Sequence, residues 1–201
     1  MAETAADVPE RASTGIRGLD DILAGGLPKN RLYLIQGNPG AGKTTAALGT
    51  AFRALGHGWR VCMVQFIKGK WKPGEVRMAG KLATGQFEVI PMGEGFTWES
   101  DNLEKDKATA QRAWEIAKEK LLSGDFQLVI LDEITYTITY KFLDLDDVLD
   151  AIRKRPSNVN VIMTGRGAHP ALVELADLVS EVHEVKHPYR QGILAQVGIE
   201  Y

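Results

Sequence analysis

The chain has 201 residues, 44% apolar and 25% charged, the proportions of a globular protein long enough to bury roughly 70% of its unfolded surface. Twenty-four Lys and Arg against twenty-six Asp and Glu leave a net charge of −2, too weak a field to draw nucleic acid or anionic lipid. The one cysteine, Cys62, excludes an internal disulfide, and no secretory segment or apolar stretch of about 20 residues is read, so the expectation is a cytoplasmic protein with no membrane partner.

Residues 1–11 are small and charged with no apolar period and read as a flexible tail. Leu19, Ile22 and Leu23 recur at helical spacing until Gly25, Gly26 and Pro28 break the run. A strand is expected at 31–36, a glycine-rich loop at 37–42, an alanine-rich helix at 43–55 closed by Gly56 and Gly58, and a second apolar strand at 60–66. A crossover of that length favours parallel pairing. Residues 68–77 are basic and read as a loop, 87–90 as a short strand, and 101–122 as the longest helix, with Leu103, Ala110, Ala113, Trp114, Ala117 and Leu121 near one face. A strand at 126–131 ends in Asp132 and Glu133. A helix at 145–152, a strand at 159–164, a helix at 171–176 and a final strand pair near 179–185 and 193–197 complete the reading. This alternation predicts one α/β domain over 1–201, a doubly wound, mostly parallel sheet of the P-loop NTPase type.

Gly37, Asn38, Pro39, Gly40, Ala41, Gly42, Lys43 and Thr44 fit G-x-x-x-x-G-K-[ST] in full, followed by Thr45, between a predicted strand and a predicted helix. Glycines let successive N–H groups curl around phosphate oxygens, the helix start adds positive dipole, Lys43 reaches the outer phosphates and Thr44 ligates Mg²⁺. ATP with Mg²⁺ is the expected ligand. The run 128–133, LVILDE, puts two carboxylates at the end of an apolar strand, where Asp132 or Glu133 holds the cation directly or through water, or merely caps the next helix. Lys68, Lys70, Lys72 and Arg77 grip a second anion with Trp71 stacked on it, or form a solvated loop. Phe96 and Trp98 line an apolar ligand pocket or pack in the core. His183 and His187 lie in a strand and a loop, and no metal site built by protein ligands alone is read from them.

From about residue 50 to 201 the chain resembles the ATP:cob(I)alamin adenosyltransferases, which attach adenosine to corrinoids. The resemblance rests on 54–58 (ALGHG), 64–69 (VQFIKG), 95–99 (GFTWE), 131–136 (LDEITY), 164–167 (TGRG) and 196–201 (QVGIEY). It implies that a cobalamin-type corrinoid is the substrate, that Phe96 and Trp98 press on it and displace its lower axial ligand, that Glu133 is a carboxylate on the Mg²⁺ side, and that Arg53 lies near the nucleotide. Monomer and homodimer both remain open.

Residues 13–45, within a first segment of 12–49, are instead similar to the KaiC and RecA-like ATPases, where Thr-Gly-Ile and Gly-Leu-Asp lead through Gly-Gly-Leu-Pro to the phosphate loop. The transferase family has a tighter loop, Gly-Asn-Gly-Lys-Gly-Lys-Thr-Thr, and an N-terminal helix over the corrinoid site. Here one more residue separates the first glycine from Gly42 and Lys43. The two resemblances meet near the first helix, so the chain reads as a chimera of two P-loop families, natural or engineered. The leading expectation is adenosyl transfer from ATP to Co(I) with triphosphate release, reduced or lost through the altered loop. The alternatives are a RecA-like ATPase and a nucleotide-binding scaffold without catalysis.

Overall fold

The computed structural model describes residues 11–12, 27–28, 30–67, 73–82, 85–92 and 103–199. Strand β1 (Arg11–Ala12) pairs antiparallel with β2 (Leu27–Pro28), Arg11 opposite Pro28, so Arg11, the last residue of the tail expected over 1–11, lies in a strand, and the rest of that tail lies outside the described residues. The helix expected around Leu19 lies outside the described residues.

Six strands follow: β3 (Leu32–Gly37), β4 (Val61–Gln65), β5 (Phe87–Pro91), β6 (Leu128–Asp132), β7 (Asn160–Gly165) and β8 (Leu178–Val182). They form one sheet in the order β5-β4-β6-β7-β3-β8 with every neighbour parallel. Helices α1 (Lys43–Gly56), α2 (Gly74–Ala79), α3 (Leu103–Ser123), α4 (Ile134–Thr139), α5 (Leu145–Lys154) and α6 (Pro170–Leu175) connect them. This is the α/β architecture of a P-loop NTPase, as the alternation predicted.

Parallel strands covered on both faces read as unbroken apolar runs, and β4 and β6 are buried at every residue. Their side chains alternate between two cores. Cys62, Val64, Val129, Leu131, Val161 and Met163 join Trp114 and Leu121 of α3 and Leu149 and Ile152 of α5 on one face. Val61, Met63, Leu128, Ile130 and Ile162 meet Ala47, Ala51 and Ala54 of α1 on the other. Three alanines let α1 lie close to the strands that flank the phosphate loop. Helix α5 is fixed at its start by Asp144, whose carboxylate accepts from the N–H groups of Asp146 (2.8 Å) and Asp147 (3.1 Å).

Three elements differ from the sequence reading. Residues 193–197 form no strand. Among the described residues after β8 the one helical element is a short 3₁₀ turn at Pro188–Gln191, because Pro188, Gly192 and Gly198 interrupt any ladder, and β8 closes the sheet parallel to β3 rather than pairing with a successor. Within the stretch expected as a basic loop, 74–77 belong to helix α2, which starts after Pro73. Helix α4, sequence ITYTIT, is absent from the expected elements, since β-branched residues disfavour helix. Burial overrides that preference: Ile134 to Ile138 are all buried, and the Thr137 and Thr139 hydroxyls donate to the carbonyls of Ile134 (2.7 Å) and Thr135 (2.8 Å). Among the described residues no helix is long and apolar enough to cross a membrane.

Candidate functional site at the carboxyl edge of the sheet

In a doubly wound sheet the ligand crevice lies beyond the carboxyl ends of the strands, where the strand order reverses. Strand β3 leads through α1 to β4, passing over the positions of β6 and β7, so the ends of β3, β4, β6 and β7 stand together along one edge. Residues 37–42 leave β3 there. Gly42, left-handed at φ 90°, caps the start of α1, whose carbonyl accepts from the Ala46 N–H at 2.9 Å. Gly37 is demanded by its neighbour and Gly40 by its backbone conformation. A Cβ on Gly37 would stand 2.2 Å from the carbonyl oxygen of Val182 in β8, and one on Gly40, at φ 77°, would stand 2.8 Å from Nε2 of His187.

Lys43 is 4% exposed. Its Nζ donates to the Asn38 carbonyl (3.0 Å) and lies 3.4 Å from Oε1 of Glu133, so the loop folds over its own cation. The Thr44 hydroxyl donates to Oδ1 of Asp132 at 3.0 Å, bringing the loop to the end of β6 across 88 residues of chain. The same Oδ1 accepts from the Thr164 hydroxyl at 2.8 Å, and Thr164 Oγ1 accepts from the Glu133 N–H at 2.8 Å. Thr164, next to last in β7, which lies between β3 and β6, thereby holds the Asp132 carboxylate and the Glu133 backbone. Glu133 adopts φ 63° and ψ 25°, an unusual conformation for a residue with a Cβ, and stands at the N-terminal boundary of α4 without a side-chain capping bond. The Tyr136 hydroxyl is pushed up from its ordinary pKa by burial and then by the Glu133 charge, against the Arg166 guanidinium 5.7 Å from its ring, so it stays protonated at neutral pH. Gln65, fully buried at the end of β4, completes the edge opposite Asp132 in the ladder.

Lys43, Thr44, Asp132 and Glu133, all expected as site residues, stand together in one contact network. Asn38, Pro39 and Gly40 are exposed on the loop, and Ala41 and Gly42 half-buried. Thr45 is exposed in the first turn of α1, and Arg53 is exposed ten residues beyond Lys43, about 15 Å along the helix. Arg77 is exposed on α2. Phe96, Trp98, Lys68, Lys70, Trp71 and Lys72 lie outside the described residues. His183 is exposed beside Glu181, at 3.9 Å. His187 reaches the phosphate loop, with its Nδ1 accepting from the Tyr189 N–H at 3.2 Å.

Gln65, Thr164 and His187 were not picked out as site residues. The first two are polar residues near the carboxyl end of largely apolar strands, a pattern that an ordinary strand terminus shares. His187 carries none, since it lies 147 residues beyond Gly40 and only the packing of the last strand brings them together.

The arrangement offers backbone donors and one buried ammonium for phosphate, and a hydroxyl and a carboxylate in contact for a cation. Among the described residues no group of three or more His, Cys, Asp and Glu side chains converges in a way that could hold a metal ion.

Residues 29–201 match the profile of the family ATP:corrinoid adenosyltransferase BtuR/CobO/CobP, a span that takes in the phosphate loop and both sides of the junction expected near residue 50. The corrinoid adenosyltransferase of Escherichia coli K12 is 46% identical over 170 residues, 85% of each chain. The corrinoid adenosyltransferase of Pseudomonas aeruginosa is 40% identical over 183 residues, 91% of this chain and 90% of its own. The crystal structure of the flagellar accessory protein FlaH from Methanocaldococcus jannaschii superposes with a TM-score of 0.59 over 82% of this chain and 76% of its own, at 16% identity, a likeness of fold alone.

Proposed function

Because the chain belongs to the ATP:corrinoid adenosyltransferase family, we propose that it binds ATP through residues 37–45 and transfers the 5′-deoxyadenosyl group to a Co(I) corrinoid of the cobalamin type. The cobalt electron pair forms the Co–C5′ bond as the C5′–O bond breaks, and that bond's electrons leave with triphosphate. Neither a general base nor an activated water is needed. What carries the reading is the convergence of Lys43 and Thr44 with Asp132 and Glu133 on one edge, in a chain whose family performs this transfer.

Lys43 holds the outer phosphates and offsets charge on the leaving group, a term that acts more strongly in a water-excluded site. Mg²⁺ fits the donors present, since Thr44 Oγ1 and Asp132 Oδ1 are hard oxygens already in contact and phosphate supplies further ligands. Bound there, the ion adds positive charge opposite the departing triphosphate. Glu133 positions Lys43. By family resemblance Phe96 and Trp98 take the corrinoid face and Arg53 the nucleotide. The phosphate loop is one residue longer than the tight family loop, and a displacement of about 1 Å at a reacting atom can cost about a hundredfold in rate, so transfer is expected to be slower than in tight-loop members.

Reduced cobalamin with Mg²⁺ and ATP tests the reading. Adenosylcobalamin and triphosphate should appear in equal amounts, and Trp98→Ala should abolish both while leaving ATP binding intact. ADP with phosphate would mean an ATPase, and bound but unchanged ATP an inert scaffold; either result overturns the proposal.

A further inference from the structure

Gln65 ends β4 directly opposite Asp132 of β6 and is fully buried. Its Nε2 donates to Oε1 of Glu75 on α2 at 2.9 Å and lies 3.5 Å from Oδ2 of Asp132. Both neighbours are carboxylates, which accept and do not donate when ionised, so turning the amide over would set its oxygen against two anions. The chemistry therefore fixes which arm is nitrogen. The other arm, Oε1, is buried with no hydrogen-bond partner among the described residues. Buried acceptors of this kind are rare in folded proteins because they forfeit their bond to water, and one at a ligand-binding edge marks a donor that arrives with the ligand.

The donor is narrowed by what surrounds it. Oδ1 of Asp132 is taken by the hydroxyls of Thr44 and Thr164, and Oδ2 faces the Gln65 amide nitrogen. Gln65 Oε1 thus adds a neutral acceptor beside the carboxylate that faces the cation. Mg²⁺ keeps several waters when it binds nucleotide, and those waters are strong donors that need acceptors in the outer shell.

We infer that Gln65 is a positioning residue for the nucleotide's divalent cation, its Oε1 accepting a hydrogen bond from a cation-bound water. The inference rests on the reading of Thr44 and Asp132 as the cation's side of the site. Glutamine suits the place because it offers this acceptor without adding a third negative charge next to Asp132 and Glu75.

The full-length protein is titrated with Mn²⁺, in the presence of ATP, and bound ion is read by electron paramagnetic resonance; ATP binding without cation is measured in parallel by equilibrium dialysis. Gln65→Met, which keeps the length and removes both polar arms, should weaken Mn²⁺ binding about tenfold, the lower end of what loss of an outer-shell partner costs, with cation-free ATP binding unchanged. Gln65→Glu keeps an acceptor and loses the donor, and should bind Mn²⁺ as tightly as the parent or more tightly. Equal weakening in both variants would mean that only the bridge through Nε2 matters, and unchanged binding in Gln65→Met that neither arm does. Each overturns the inference. If Gln65→Met does not fold, Gln65→Glu decides alone, and a loss of Mn²⁺ affinity in it is fatal. Thr44→Val separates the two readings: weakened Mn²⁺ binding there beside unchanged Gln65→Met refutes this inference only, whereas unchanged binding in Thr44→Val refutes the cation assignment beneath it.

Discussion

The interior of the sheet and its carboxyl edge are built from the same six strands but obey different chemistry. In the interior, Val61 to Val64 and Leu128 to Leu131 are wholly apolar and fully or almost fully buried. At the edge the buried groups turn polar: Lys43, Gln65, Asp132 and Thr164, followed by Thr135 and Thr137 on the helix that leaves it. Among the described residues the buried polar residue at the opposite end is Asn160, and it has a structural task, accepting from the Arg31 N–H (3.2 Å) and donating to the Gln127 carbonyl (3.0 Å). Both of its arms are occupied within the protein, whereas Gln65 keeps one arm without a hydrogen-bond partner among the described residues. The difference teaches that stability is concentrated in the apolar middle of the strands while their ends are left to meet a ligand.

The largest expected effect lies in the interior. Ile130→Ala removes a fully buried side chain that packs between the sheet and α1, and should cost about 2–5 kcal/mol in urea unfolding while leaving the ATP affinity of the folded protein near that of the parent. Cys62 reports on the core of the opposite sheet face: burial pushes its thiol up to about 12, so thiol reagents should modify it only on opening, and faster in Ile130→Ala because both faces share the same strands. Lys43→Ala should do the reverse at the edge, weakening ATP binding by about 1.5–3 kcal/mol in calorimetry with the fold retained. If both variants lost stability and binding together, interior and edge would not be separable.

Gly40→Ala places a methyl group against His187 at positive φ and should lower thermal stability by about 1–2 kcal/mol, with ATP affinity falling alongside because the loop must shift. The smallest effect is expected away from the edge, at Asp147. Its carboxylate accepts from the Trp114 indole at 2.6 Å and pairs with Lys118, tying α3 to α5. First the Lys118 hydrogen bond and then that of Trp114 hold the carboxyl below its ordinary pKa. A group lowered in this way contributes stability that is fully present above the unfolded value of about 3.9 and fades as pH falls through the lower folded value. Asp147→Asn should therefore melt slightly lower than the parent at neutral pH, with the two melting curves converging in acid.

The phosphate loop, the Asp132–Glu133 strand end and the order of strands and helices were legible because each rests on local rules: glycine spacing, a carboxylate after an apolar run, and alternating period. Helix α4 was not legible, since its β-branched residues disfavour the helix that tertiary burial imposes. Nor was a polar residue ending a strand, such as Gln65 or Thr164, distinguishable from an ordinary strand terminus until the strand order set both beside Asp132.

By itself the sequence determined that an α/β sheet would carry a phosphate loop on one edge, because the torsional freedom of glycine and the burial of apolar runs act over a few residues. Only the tertiary structure decided that β7 lies between the loop strand and the Asp132 strand, that Thr164 links the Asp132 carboxylate to the Glu133 backbone, and that His187 stands on Gly40. Those contacts join residues 31 to 147 positions apart, and their formation depends on the packing of both sheet faces rather than on any local preference of the chain.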